Sequence, residues 1–294
     1  MSEHPTPTTS RWPVTFGVVT GQHQLTWPQL VEQWQMAEAL GFDSVWLFDH
    51  FLALYADPDG PCLEASTLLA ALALKTDRVR VGVLVYGNTH RNPAILAKEI
   101  VTVDHISGGR AILGIGTGWH EREHRAYSIP FPSPGDRVAM LDEALTVIHS
   151  LFTERRTTFH GRFYRLEDAP FSPKPVQERL PILVGGKRPK MLELIARHAD
   201  LWDSSGTPDD IRRGLATVTA NCQAIGRDPA EIGVSVSLGA DRLADERGFA
   251  DLIRAYYAAG ARQFLFDFPL GGHELDAAER VARTIIPNLR EELA

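Results

Sequence analysis

Asp49-His50 is the pair in this chain best suited to moving a proton. It closes an apolar run, Ser44 to Phe48, whose pattern is that of a buried strand. Histidine titrates near neutrality and an adjacent carboxylate can orient its ring, so the pair fits general acid–base work; the plainer alternative is a solvated loop. Two glycine turns offer a second chemistry. Gly114-Ile115-Gly116-Thr117-Gly118 and Gly185-Gly186-Lys187-Arg188 each follow a short apolar run. Side chains shrink there, which lets a backbone approach a ligand closely. The second turn precedes a helix, whose free N–H groups and dipole, with two cations, suit a phosphate. Neither is a P-loop, because GK followed by Ser or Thr is absent, and the first reads GxGxG rather than GxGxxG.

Other polar and aromatic residues have simpler readings. His120-Glu121-Arg122-Glu123-His124 matches the zinc-protease pattern HExxH, but that motif needs an amphipathic helix and a third ligand. Here it directly follows a glycine turn, so no metal is expected. His105, His149 and His198 sit in expected helices and read as structural. Trp27 and Trp34 fit core packing; Trp46, on a buried strand, fits either core or pocket, and Trp119, just past a glycine turn, fits a pocket wall. The two cysteines, Cys62 and Cys222, suggest neither a disulfide framework nor a metal knuckle.

The elements that must position these groups repeat one plan. An apolar strand over Val79 to Gly87 leads to Asn92-Pro93, a capping residue followed by a proline suited to a first helical turn. Ile95, Leu96, Ile100, Val103 and Ile106 recur at three- and four-residue steps, predicting a helix with one buried face. Gly108-Gly109 stops it, and Ala111 to Ile115, apolar without alternation, reads as a parallel strand covered on both faces. The same alternation predicts strands at Val14 to Val19, Ser44 to Phe48, Ile182 to Val184, Ala199 to Trp202, Ile232 to Leu238 and Gln263 to Phe268, each followed by a helix. Eight such repeats predict a (β/α)8 TIM barrel with an insertion after strand 4, which holds a helix over Arg137 to Phe152 and a hairpin over Thr157 to Phe171. In such barrels the site lies at the C-terminal ends of the strands. Trp202-Asp203 and Tyr86 to Asn88 then join the groups above on one face.

At 294 residues and a net charge of -7, the chain is long enough for one large domain and has no basic run to attract nucleic acid or an anionic membrane. No apolar stretch reaches ~18 residues and no signal sequence is evident, so the expectation is a soluble, cytoplasmic protein. Residues 1–12 read as a flexible lead-in and 13–294 as a single domain.

LGFDSVWLFDHF, THRNPAILAKEIVTVDHISGGRAILGIGTGWHEREHRAY, and GRFYRLEDAPFSPKPVQ followed by VGG together resemble the luciferase-like flavin and deazaflavin oxidoreductase superfamily over nearly the whole chain. The family has the barrel and the insertion expected above. Asp-His together with GxGxGW resembles the branch that uses coenzyme F420 more than the FMN branch. The resemblance implies that Asp49 contacts the cofactor ring, that His50 stands near its hydride-carrying carbon, and that a bulge with a non-prolyl cis peptide around Val83, Leu84 and Val85 backs the ring. Asn88 would join that wall, and Thr117, Gly118, Gly185, Gly186 and Lys187 would take the phosphate. Trp46, Trp119, Glu123 and Trp202 would line the substrate pocket. In sugar-phosphate dehydrogenase members an acidic glutamate follows the glycine turn, but here that position is Trp119, with Glu123 as a candidate substitute. The implied activity is hydride transfer between F420 and a small alcohol, aldehyde or enone, in a homodimer. An FMN-dependent monooxygenase and a non-catalytic deazaflavin- or flavin-binding protein are the alternatives.

Overall fold

The computed structural model describes residues 11–54 and 57–294. The expected lead-in lies outside them except for Arg11 and Trp12, and Trp12 is anchored, its indole donating to Glu231 O at 2.9 Å. The strands are β1 (Thr15–Val19), β2 (Ser44–Leu47), β3 (Arg80–Val83), β4 (Tyr86–Gly87), β5 (Ala111–Gly116), β6 (Arg156–His160), β7 (Arg165–Pro170), β8 (Ile182–Gly185), β9 (Leu201–Ser204), β10 (Gly233–Leu238) and β11 (Gln263–Asp267). Their hydrogen-bonded order is β3-β2-β1-β11-β10-β9-β8-β5, and β3 also pairs with β5, so eight strands close the expected ring. β4 lies outside that ring and pairs with β5 alone, while β6 and β7 form the separate antiparallel hairpin of the insertion.

The chain divides into two compact units, Val18–Gly185 and Met1–Gly17 with Gly186–Ala294. In the first, the helices are α1 (Trp27–Ala39), α2 (Ala65–Ala73), α3 (Pro93–Ser107), α4 (Glu121–Ala126) and α5 (Pro134–Thr153). Their starts follow local chemistry: Glu64 accepts the N–H groups of Ser66 and Thr67, Asn92 that of Ala94, and Ser133 that of Asp136. Gly108 ends α3 at φ 68°, a left-handed conformation that costs glycine little. The buried face of α3 is Leu96, Ala97, Ile100, Val101, Val103, Asp104 and Ser107. Ile95 (57% exposed) and Ile106 (38%) fall off it, because that face is centred about one residue later than the isoleucine spacing suggests. Trp27 is likewise half out in solvent, at the first position of α1, whereas Trp34 is fully buried.

The third strand contains the expected irregularity. Gly82 lies opposite Ile112 and Tyr86 opposite Ile115, so Val83, Leu84 and Val85 face only Leu113 and Gly114. This is a one-residue bulge, and the Leu84–Val85 peptide within it is cis. The hairpin turn is held from α5, where Glu143 accepts the N–H groups of Arg162, Phe163 and Tyr164 at 2.8, 2.8 and 3.1 Å.

The second unit carries α6 (Pro189–His198), α7 (Pro208–Ala224), α8 (Ala240–Leu243), α9 (Phe249–Ala258), α10 (Gly272–Arg280) and α11 (Ile286–Glu292). Its sixth barrel strand runs Leu201–Ser204, two residues later than the apolar run suggests, so Asp203 is a strand residue rather than a loop residue. The final helix is not continuous: a π-turn, Val281–Ile285, intervenes before Pro287, which has no N–H to give to the preceding turn. No helix among the described residues is long and apolar enough to cross a membrane.

Candidate active site

Strand ends of the Val18–Gly185 unit wall one cavity of about 240 Å3. β2 leads into Asp49 and His50, the bulge after β3 presents Leu84 and Val85, and β5 leads into Thr117 and Gly118; Gly185 closes β8 at the same wall.

Asp49 is only 3% exposed. Its Oδ2 accepts the Gly87 N–H at 2.8 Å and lies 3.0 Å from His90 Nδ1, and Arg91 Nη1 reaches both oxygens at 2.8 Å. Arg91 also pairs with Glu64 at 2.5 Å and Glu99 at 3.6 Å, which joins the starts of α2 and α3 to the end of β2. Burial works to raise the Asp49 carboxyl, but the His90 hydrogen bond, the Arg91 charge and the Gly87 N–H outweigh it and hold its pKa below the ordinary value.

This arrangement corrects the expectation that Asp49 orients His50. Neighbours along an extended backbone project to opposite sides, so adjacency in sequence separates them in space. The partner of His50 is Glu123, whose Oε2 lies 2.7 Å from His50 Nδ1. The other oxygen of Glu123 accepts the N–H groups of Phe51 and Leu52 at 2.7 and 2.9 Å, pinning the loop that carries the histidine. Glu123 has no exposed surface. Burial alone would raise its carboxyl, yet the His50 bond, the two backbone N–H groups and the His50 charge hold it down to about 2. Glu123 is absent from the cavity lining and braces His50 from behind. His120 Nδ1 sits 3.1 Å from the same Oε2.

Trp119 is 60% exposed on the cavity wall, its ring centroid 5.6 Å from that of His50. The other expected pocket tryptophans lie elsewhere. Trp46 is fully buried and donates to Ser44 Oγ at 2.9 Å, a core residue. Trp202 belongs to the second unit, where it donates to Gly186 O at 2.7 Å and borders, with Lys187, Ser204 and Arg213, a separate cavity of about 420 Å3. Asn88 is buried and outside the cavity lining, with its Nδ2 donating to Tyr164 OH at 3.1 Å and so fastening the hairpin.

The glycine turns also differ from expectation in their cause. A Cβ on Gly114 would lie 2.1 Å from Val83 O, and one on Gly116 would lie 2.9 Å from Val85 Cγ2. These glycines thus make room for the bulge, and Gly116 also lines the cavity. Thr117 and Gly118 do face the cavity, with Gly118 at φ 73° against Thr89. The Gly186 N–H is not free for a phosphate, since it donates to Asp203 O at 3.1 Å.

The HExxH segment falls on the short helix α4, with His120 at its cap. Its histidines diverge: His124 is buried, 2.7 Å from Thr89 Oγ1 and 2.9 Å from His120 O, and does not join His120 at a shared point. Sequence reasoning missed His90 and Arg91 as partners of Asp49. The available signal was a cation beside a histidine between a strand end and the Asn92-Pro93 helix start.

A family model for luciferase-like monooxygenases matches residues 12–286, and the chain belongs to that family. It is 37% identical over 189 residues to an F420-dependent glucose-6-phosphate dehydrogenase of Kineococcus radiotolerans, covering 64% of this chain and 55% of the relative. It is 31% identical over 262 residues to an F420-dependent hydroxymycolic acid dehydrogenase of Mycobacterium tuberculosis, covering 87% of this chain and 71% of that one. The match thus spans little more than half the length of the glucose-6-phosphate dehydrogenase. Among solved structures, an F420-dependent secondary alcohol dehydrogenase holding an F420–acetone adduct is similar at a TM-score of 0.83 and 19% identity, over 93% of this chain and 98% of that one. A riboflavin lyase with modified FMN is similar at 0.81 and 14%, over 95% and 92%. At such identities the likeness is one of fold, and it spans both cofactor types.

Proposed function

We propose that this chain is an oxidoreductase that transfers a hydride between coenzyme F420 and a small alcohol, aldehyde or enone. The observation that carries this reading is the placement of His50, braced by Glu123, on the wall of a cavity that Leu84 and Val85 of the bulge also line. The curated relatives described above, both named F420-dependent dehydrogenases, support the cofactor.

A polar group in the cavity wall supports a ligand with a polar edge. His90 lines the cavity, and its Nε2 is buried with no hydrogen-bond partner in the protein, an unsatisfied group that a polar edge of a ligand would relieve. Leu84 and Val85 would back the ring, Asp49 would face it while clamped by Arg91, and Thr117, Gly118 and Gly185 would lie toward the phosphate. F420 supplies a carbon centre that accepts or gives a hydride and reacts poorly with oxygen. The protein supplies orientation, shelter from water, and a proton donor or acceptor at His50, whose Nδ1 is committed to Glu123. Trp119, beside His50, would shape the space left for substrate.

Titration of the purified chain with F420 and with FMN tests the cofactor. Tight binding of F420 with little for FMN is expected, and binding of FMN alone would overturn the reading in favour of a flavin monooxygenase. Replacing His50 tests the mechanism: His50→Ala should bind F420 normally but transfer hydride ~100-fold or more slowly, as befits a positioned acid or base. Full turnover in that variant would remove His50 from the chemistry. Binding of F420 without any turnover across a panel of alcohols, aldehydes and enones would mark a carrier rather than an enzyme.

A further inference from the structure

We infer that His50, His120 and Glu123 form a binding site for a divalent transition metal, Zn2+ foremost, at the wall of the active-site cavity. One ligand atom from each residue lies within 4.8 Å of the others. Both imidazoles present Nδ1 to the same carboxylate oxygen, Glu123 Oε2, at 2.7 and 3.1 Å. Ligand atoms around tetrahedral zinc at ~2.0–2.1 Å stand about 3.3 Å apart, so the two nitrogen–oxygen separations would open by only about 0.6 and 0.2 Å to admit the ion. The HExxH segment contributes His120 and, from one of its variable positions, Glu123, while the remaining ligand, His50, comes from the loop after β2 in place of His124.

Three further features suit a metal. Two imidazoles and one carboxylate are the donor set of zinc and related ions, whereas calcium or magnesium would require more oxygens. The carboxylate is already oriented from behind, because its other oxygen is held by the N–H groups of Phe51 and Leu52. His120 Nδ1 is buried and makes no directed hydrogen bond, and both histidines line the cavity, which gives an entry path and space for water as a fourth ligand.

Binding at Nδ1 replaces the His50–Glu123 hydrogen bond, and each neutral imidazole then carries its proton at Nε2. A metal-bound imidazole keeps its remaining proton at Nε2 and cannot take up another, so the ion at Nδ1 removes His50 from proton transfer. Resting on the function proposed above, the consequence is reversible inhibition: the metal and the proton route compete for one histidine.

The test uses the full chain, stripped of metal and free of F420, titrated calorimetrically with Zn2+. One ion per chain with micromolar or tighter affinity is expected, and X-ray absorption should show nitrogen and oxygen at ~2.0–2.1 Å with no sulfur. His120→Ala, or His120→Asn if the alanine variant melts early, should weaken binding ~100-fold, whereas His124→Ala should leave it unchanged. No saturable binding, equal loss in His124→Ala, or none in either His120 variant would overturn the site. A sulfur scatterer at ~2.3 Å would overturn it too, pointing to Cys62, whose Sγ lies 3.3 Å from His50 O. Because zinc is measured without F420, failure here is distinct from failure of the cofactor titration.

Discussion

Three buried or half-buried carboxylates show how neighbours decide what one functional group does. Asp49 is clamped by Arg91 and Glu123 is saturated by histidine and backbone N–H groups, so both stay charged. At Asp203, Ser237 donates to the carboxyl oxygens at 3.0 and 3.1 Å, and burial, outweighing the serine hydroxyls, pushes its pKa up from 3.8 to about 7. A carboxyl whose folded pKa is raised binds its proton more tightly folded than unfolded. Its contribution to stability is full below about 3.8 and is lost as pH rises through about 7. Asp203→Asn should therefore flatten the pH dependence across that window and stabilise the protein by roughly 1–2 kcal/mol at about pH 8, allowing for partial solvent screening. Urea unfolding of both proteins at about pH 5 and about pH 8 reads this directly, and parallel losses in the two would show that Asp203 is not the titrating group.

At the scale of elements, β5 and the third strand are built for each other. The bulge pushes Val83 O and the Val85 side chain toward β5, and Gly114 and Gly116 are the residues that let them in. Gly114→Ala places a methyl 2.1 Å from a backbone oxygen, a clash that no side-chain rotation relieves. The expected cost is about 1–3 kcal/mol of stability together with loss of F420 affinity, since the bulge would have to move away from the cavity. A variant that melts like the native protein and binds the cofactor equally well would show that the bulge does not depend on this contact. The insertion has a comparable division of labour: α4 carries Glu123 to the back of His50, while Asn88 and Tyr164 tie the hairpin to the end of β4.

For the whole molecule, the alternation of short apolar runs with capped helices was enough to predict eight strands, the closed order, and the insertion after the fourth. Those features arise from local pattern, because a strand covered on both faces must be apolar throughout and a helix must show its stripe and its caps. The site was legible in part. Asp49, His50, Thr117, Gly118 and Trp119 all line one cavity, as strand ends of a barrel should. Pairings within it were not legible: Asp49 with His90 and Arg91, His50 with Glu123, and His124 with Thr89. The sequence alone determined the elements and the residues at their ends, since propensity, periodicity and capping act over a few residues. Only the tertiary structure decided which partners meet, because His50 and Glu123 lie 73 positions apart and are joined by strand register, the bulge and the turn of α4, none of which a local pattern encodes.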